Sequence, residues 1–154
     1  AAGLALAVAE PTATVVLTEG CDASLANAGH NAKAYGATVE RLDWNDHGSV
    51  TGGYDVAVGA DLVACDAVAG PLARTVAALA DEFWYVGPAD GRAGAADFLD
   101  MLEADFADHV VRDVPSHYTA NAFANQDDSF FLYFPDILNT SFLLHRFSSR
   151  RRPQ

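Results

Sequence analysis

Short apolar runs alternate with segments of helical periodicity along most of the chain. Residues 13–18 form a continuous β-branched and apolar run, which predicts a strand buried on both faces. A helix follows, with an N-cap at Asp22 and an end at Gly36. Residues 38–42 and 54–60 then predict a second and a third strand.

The alternation continues through the middle of the chain. The next helix is predicted to begin with Asp66 and Pro71, and residues 83–86 predict a fourth strand. Three apolar residues at helical spacing mark the face of a further helix: Phe98, Leu102 and Phe106. This alternation predicts right-handed crossovers and a largely parallel sheet with helices on both faces.

The rhythm breaks after residue 113. Residues 116–129 are polar and predict a long loop, and residues 141–147 predict a last strand in an antiparallel hairpin at one sheet edge. At the other end, residues 1–9 are apolar but have no basic flank, so we expect a helix of a longer protein rather than a signal peptide. That run is shorter than the about 20 residues that span a bilayer.

Composition and charge narrow the function. With 154 residues, 51% of them hydrophobic, the chain predicts one domain over residues 1–147 and a basic tail over 148–154. It carries 9 basic and 21 acidic side chains, for a net charge of −12, and four of the basic ones follow residue 145. A domain with this negative charge repels polyphosphate, and we expect neither a nucleic acid nor an anionic membrane as partner.

Cysteine and histidine spacing excludes other classes. Cys21 and Cys65 cannot form a disulfide framework, so we expect free thiols and a reducing compartment, the cytoplasm or the nucleus. The five histidines and two cysteines have no metal-ligand spacing, and we predict no metal. There is no nucleophile elbow and no phosphate-binding loop. The glycine-rich residues 87–94 lack the lysine and hydroxyl of such a loop and predict a turn.

Polar side chains follow the first three predicted strands, where a parallel sheet binds ligands. Glu19 could accept hydrogen bonds from ribose hydroxyls, and is equally explained as an acid near a helix start. Trp44 beside Asp43 could stack on a purine, or the indole could fill the core. Asp61 could orient a substrate amine, whereas Asp66 is better explained as a helix cap.

Several segments together resemble the seven-β-strand, class I protein-lysine methyltransferases that use S-adenosylmethionine, most of all the calmodulin-lysine N-methyltransferase group. The similar segments are residues 15–20 (Val-Val-Leu-Thr-Glu-Gly), 30–32 (His-Asn-Ala), 42–44 (Leu-Asp-Trp), 54–61 (Tyr-Asp-Val-Ala-Val-Gly-Ala-Asp), 72–76 and 88–91. The resemblance implies a Rossmann-like α/β sheet, mostly parallel with an antiparallel C-terminal edge, whose first strand and glycine loop are missing from this sequence.

The resemblance also implies roles for single residues. Glu19 would hold the cofactor ribose, Asp43 and Trp44 would bracket the adenine, and Ala60 would line the cofactor. Asp61 would be the catalytic residue, because it begins the family's Asp-x-x-aromatic motif and would orient the lysine amine.

Two departures from the family are visible. Ala64 stands at the aromatic position of that motif, and the Glu-x-Gly-x-Gly segment that would precede Ala1 is absent. We therefore expect residues 1–154 alone to bind the cofactor weakly or not at all, since the cofactor's main backbone cradle is lost.

The implied substrate is a protein: calmodulin, an elongation factor or a chaperone. Calmodulin is itself acidic, so this body should repel it within a Debye length of about 8 Å. Two other functions stay open. One is a non-catalytic Rossmann-like interaction domain that has lost cofactor binding; the other is a nucleotide-sugar or NAD-type binding protein that uses Glu19 for ribose.

Overall fold

The computed structural model describes residues 2–46, 53–115 and 140–151. Within these ranges, helices and strands alternate apart from the consecutive strands β2 and β3, and two strands follow α4. The elements are α1 (Ala2–Ala9), β1 (Val16–Glu19), α2 (Asp22–Lys33), β2 (Thr38–Arg41), β3 (Tyr54–Ala60), α3 (Asp66–Leu79), β4 (Ala80–Pro88), α4 (Ala95–Asp105), β5 (Phe106–Asp113) and β6 (Phe142–Arg150).

The described strands form two sheets rather than the predicted single one. β1 and β2 pair in parallel, and a second sheet has the order β3-β4-β6-β5. β3 and β4 are parallel, whereas β6 runs antiparallel to both β4 and β5. The α/β class and the antiparallel C-terminal edge are confirmed, but the single, mostly parallel sheet is wrong for the described residues. The short helix α1 touches both β1 and β3, so it contacts an edge strand of each sheet.

One hydrophobic core lies between the four-stranded sheet and the helices α3 and α4. Its aromatic residues meet edge to face: the ring centroids of Tyr85 and Phe98 are 5.4 Å apart, and those of Phe83 and Phe98 6.2 Å. Such pairs contribute about 0.5–1.5 kcal/mol beyond the burial of their area. This packing holds β4, and the loop that follows it, in a fixed position.

The first predicted strand and its helix differ in detail from the prediction. The strand over residues 13–18 is observed as β1 from Val16, and Val15 is the one residue of that run that is buried. Burial on both faces is therefore wrong, because Val16, Leu17 and Glu19 are half-buried and Thr18 is exposed, so the described elements do not cover both faces of β1 completely. The N-cap of α2 is Cys21, and Asp22 is the first helical residue, where its charge faces the positive end of the helix dipole.

Three further predictions need correction. Cys65 is the N-cap of α3, and Pro71 lies inside that helix rather than at its start. Phe106 is buried as predicted but begins β5, a strand the sequence did not predict because most of its residues are exposed at a sheet edge. The predicted loop over residues 116–129 lies outside the described residues. β6 runs to Arg150, beyond the predicted end of the domain.

Candidate active site

The first strand end is held by a carboxylate that caps its own turn. Oε1 of Glu19 accepts hydrogen bonds from the backbone N–H of Gly20 at 2.9 Å and of Cys21 at 3.1 Å. The Glu19 carbonyl accepts from the N–H of Leu42, so the ends of β1 and β2 lie side by side. Glu19 thus lies two residues before the N-cap of α2, which agrees with its interpretation as an acid near a helix start. Its carboxylate still has lone pairs that could accept from ribose hydroxyls.

The second strand end forms a tight polar turn with an indole beneath it. Oδ1 of Asp43 accepts from the backbone N–H of Asn45 at 2.9 Å and from its side-chain amide at 3.3 Å. Trp44 is half-buried and packs against the core, and its carbonyl accepts from Thr75 Oγ1 at 3.4 Å. Core packing therefore accounts for the buried part of Trp44. Its contact with adenine stays a prediction.

The third strand end carries the predicted catalytic residue. Ala60 is exposed and is the last residue of β3, opposite Val86 of β4. The backbone N–H of Asp61 donates to the Val86 carbonyl at 2.8 Å and extends the β3–β4 pairing by one bond. Asp61 has φ of +47°, a conformation that L-residues other than glycine adopt rarely. The chain thus turns sharply directly after β3.

Arg92 is a candidate site residue that the sequence pattern did not predict. Its Nε donates to Asp61 Oδ1 at 2.9 Å and its Nη2 to Asp61 Oδ2 at 2.5 Å. Both groups are partly open to solvent, and Asp61 raises the pKa of Arg92 further above its usual value through these hydrogen bonds and its charge. One sequence feature could have drawn attention to Arg92: it is the only lysine or arginine between Arg74 and Arg112.

The loop after β4 is clamped to the start of α3. Gly94 has φ of +79°, and a Cβ at this position would lie 2.8 Å from Asp66 Cα and 3.0 Å from the Cys65 carbonyl oxygen. The predicted turn over residues 87–94 is confirmed from Ala89 onward, while Gly87 and Pro88 belong to β4. Glycine at 94 therefore permits the close approach that brings Arg92 to Asp61.

Tyr85 lies beneath the same loop. Its ring is buried, and the hydroxyl would be 2.8 Å from a Cβ built on Gly87. Burial raises the pKa of Tyr85, and hydrogen bonding with the backbone of Val63 and Leu62 opposes that rise. The hydroxyl therefore meets the backbone just before Ala64.

Both cysteines are free and exposed. Backbone N–H groups of Ser24 and Ala23, at the start of α2, lower the pKa of the Cys21 thiol. In the described parts of the chain, no three histidine, cysteine, aspartate or glutamate side chains are grouped so that they could hold a metal ion. No helix in those parts has the length and apolar character needed to cross a membrane.

The fold has solved counterparts. The chain matches no protein-family model and no curated protein sequence. It is similar to the N-terminal domain of EvdMO1, crystallised in the presence of SAH and D-fucose, with a TM-score of 0.59, 16% identity and coverage of 96% of this chain and 70% of that one.

Two further solved structures are similar. The [4+2]-cyclase SpnF has a TM-score of 0.56 and 14% identity, over 97% of this chain and 71% of that one. A Thermoplasma acidophilum protein has a TM-score of 0.50 and 14% identity, over 88% and 62%. At such identities the likeness establishes the α/β fold shared with these structures.

Proposed function

We propose that the protein is an S-adenosylmethionine-dependent methyltransferase that acts on a lysine of a protein substrate. The observation that carries the proposal is the placement of Glu19 at the last residue of β1 and of Asp61 directly after β3, both at the carboxyl ends of parallel-paired strands, in a fold similar to a domain crystallised with SAH. The lysine acceptor is supported by the sequence resemblance around Asp61.

The cofactor's polar groups match the side chains at the first two strand ends. Glu19 is fixed through Oε1 by two backbone N–H groups, so it can receive ribose hydroxyls without first losing side-chain freedom. Asp43 is fixed by Asn45 in the same way and would accept from the exocyclic amine of adenine. Trp44 would offer the indole edge that the core leaves exposed, and Ala60 would leave room for the cofactor.

The third strand end would orient the acceptor. When bound, the cofactor would supply a sulfonium methyl group: the lone pair of a neutral lysine Nζ would form the new C–N bond, the C–S electron pair would stay on sulfur, and the product would lose a proton to water. Asp61 would hold the amine by a hydrogen bond, since orientation rather than a strong base accelerates such a displacement. The proposed substrates are calmodulin, an elongation factor or a chaperone, in the cytoplasm or nucleus.

The decisive experiment is an NMR titration of the protein with S-adenosylhomocysteine up to millimolar concentration. We expect weak, saturable shifts of the amides of Gly20 and Asn45. Glu19→Gln should weaken binding roughly tenfold to a hundredfold, because a hydrogen bond to a charged group contributes about 1.5–3 kcal/mol. The matched control is Glu10→Gln, an exposed acid outside the site, which should bind as the wild type does.

The other outcome favours a different function. If millimolar S-adenosylhomocysteine shifts no amide near Gly20 or Asn45, these strand ends hold no cofactor and the proposal is wrong for residues 1–154. The non-catalytic interaction domain then becomes the better explanation, and the departure at Ala64 agrees with it.

A further inference from the structure

The carboxylate of Asp61 is already paired with a cation. Arg92 engages both of its oxygens through two hydrogen bonds, at 2.9 and 2.5 Å. The side chains keep 41% and 43% of their surface exposed, so a solvent-borne molecule can reach the pair. Any amine that approaches Asp61 therefore meets a carboxylate and a guanidinium together.

The pair is held by its surroundings rather than by chance contact of two long side chains. Asp61 is fixed by its backbone bond to Val86, and Arg92 by a loop that turns at Gly91 and Gly94, both with positive φ. The Arg92 carbonyl also accepts from the N–H of Ala95 at the start of α4. Fixed geometry at both partners makes the bidentate pair stronger than an ordinary surface ion pair.

Pairing changes what Asp61 can bind. A lone carboxylate attracts an ammonium group and favours its protonated form. A carboxylate neutralised by a guanidinium keeps lone pairs that accept an N–H, while the guanidinium repels an ammonium group. Methyl transfer requires the neutral amine, because the protonated one has no lone pair.

We propose that Arg92 is a positioning residue that makes Asp61 select the uncharged form of an acceptor amine. The inference rests on the proposed function, in which Asp61 receives a lysine side chain. The titratable groups nearest this pair along the strand end and loop are Tyr85 of β4, Cys65 and Asp66 beside Gly94, and Asp90 in the loop. Tyr85 stays neutral in the relevant range, because burial raises its pKa.

The test uses butylamine, which has the chemistry of a lysine side chain, titrated into the labelled protein and followed by NMR at pH 7 and pH 9.5. With a free amine pKa of about 10.4, the neutral fraction rises on the order of a hundredfold between these pH values. We expect the affinity of the wild type to rise by a similar factor. Arg92→Gln should bind at pH 7 more tightly than the wild type, with affinities at the two pH values within about threefold, since unpaired Asp61 accepts the ammonium form.

Two variants complete the design. Arg112→Gln removes the same charge from β5, at the far edge of the sheet, and should keep the wild-type dependence on pH. Arg92→Lys keeps a cation beside Asp61 and should restore most of it. Urea unfolding of each variant establishes that it is folded.

The inference is overturned if Arg92→Gln and the wild type show the same pH dependence, or if butylamine causes no saturable shift near Asp61 in the wild type. Its failure is separable from that of the proposed function, because the S-adenosylhomocysteine titration probes Glu19 and Asp43. A protein that binds the nucleoside but fails the butylamine test keeps the proposed function and loses the role of Arg92. A protein that passes the butylamine test but does not bind S-adenosylhomocysteine loses the methyltransferase function and keeps the amine site.

Discussion

His109 of β5 and His145 of β6 share a hydrogen bond of 3.0 Å between Nε2 and Nδ1, with their rings nearly parallel. The other ring nitrogen of His109, Nδ1, contacts Glu103 at 2.7 Å, and its ring stacks on Phe147 at 4.0 Å. His145 is 6% exposed. A relay of one carboxylate and two imidazoles thus joins α4 to the last two strands.

This relay predicts a stability that depends on pH. Burial lowers the pKa of His145, repulsion from His109 lowers it further, and Glu103 partly opposes both. In the unfolded chain His145 takes up a proton near pH 6.5, whereas in the folded protein it does so only at lower pH. The contribution of His145 to the free energy of unfolding is therefore fully present above pH 6.5 and falls as the pH decreases below that value. The urea midpoint should be lower at pH 5.5 than at pH 7.5. The difference should shrink in His145→Gln and persist in His30→Gln, an exposed histidine on α2; equal slopes in all three proteins would contradict the role of His145.

A pair of glycines tests the clamp that positions Arg92. Gly91 and Gly94 have nearly the same φ, +80° and +79°, but a Cβ at Gly91 meets nothing within 4 Å, whereas one at Gly94 meets the backbone of Asp66. Gly91→Ala should cost about 1–2 kcal/mol of left-handed strain. Gly94→Ala should cost about 2 kcal/mol more, because the backbone cannot move aside. Urea unfolding measures both, and equal losses would mean that the close approach is absent.

The core under α4 gives a stability prediction with a neighbouring control. Leu102 is fully buried, while Met101 beside it is 43% exposed. Leu102→Ala should destabilise the protein by about 2–5 kcal/mol through the lost transfer energy and the cavity. Met101→Ala should change stability by less than about 0.5 kcal/mol. Comparable losses in chemical denaturation would place α4 in a different rotation about its axis.

Trp44 can be tested for its two roles separately. Trp44→Leu keeps an apolar side chain against the core but removes the ring that would stack on adenine. We expect the variant to stay folded but to lose about 1–3 kcal/mol of stability, because leucine leaves part of the indole's core contact unfilled, and to lose the amide shifts caused by S-adenosylhomocysteine. If the variant keeps those shifts, Trp44 is a core residue alone, and the adenine must be held elsewhere.

Local pattern was enough to predict most elements. β3 was predicted with its observed bounds, and the strands at β1, β2 and β4 were placed within a few residues. Periodicity reports which side of a segment is buried, and that is a local property. The same signal failed at Phe106, because a buried residue at the junction of α4 and β5 continues the helical spacing without being helical.

The candidate site was predictable only in part. Glu19, Asp43 and Asp61 could be proposed because parallel strands present their following residues at a ligand-binding edge. Arg92 could not, since the partner of Asp61 lies 31 residues away in a loop whose glycines looked like an ordinary turn. The relay of His109 and His145, 36 residues apart, was invisible for the same reason.

The sequence by itself determined the acidic charge, the number and spacing of the cysteines, and the order of most strands and helices, because each depends on composition or on neighbours along the chain. The tertiary structure alone decided that β6 inserts between β4 and β5, that the described strands divide into two sheets, and that Arg92 reaches Asp61. These outcomes depend on which surfaces bury each other across long separations, and no local pattern encodes the partner.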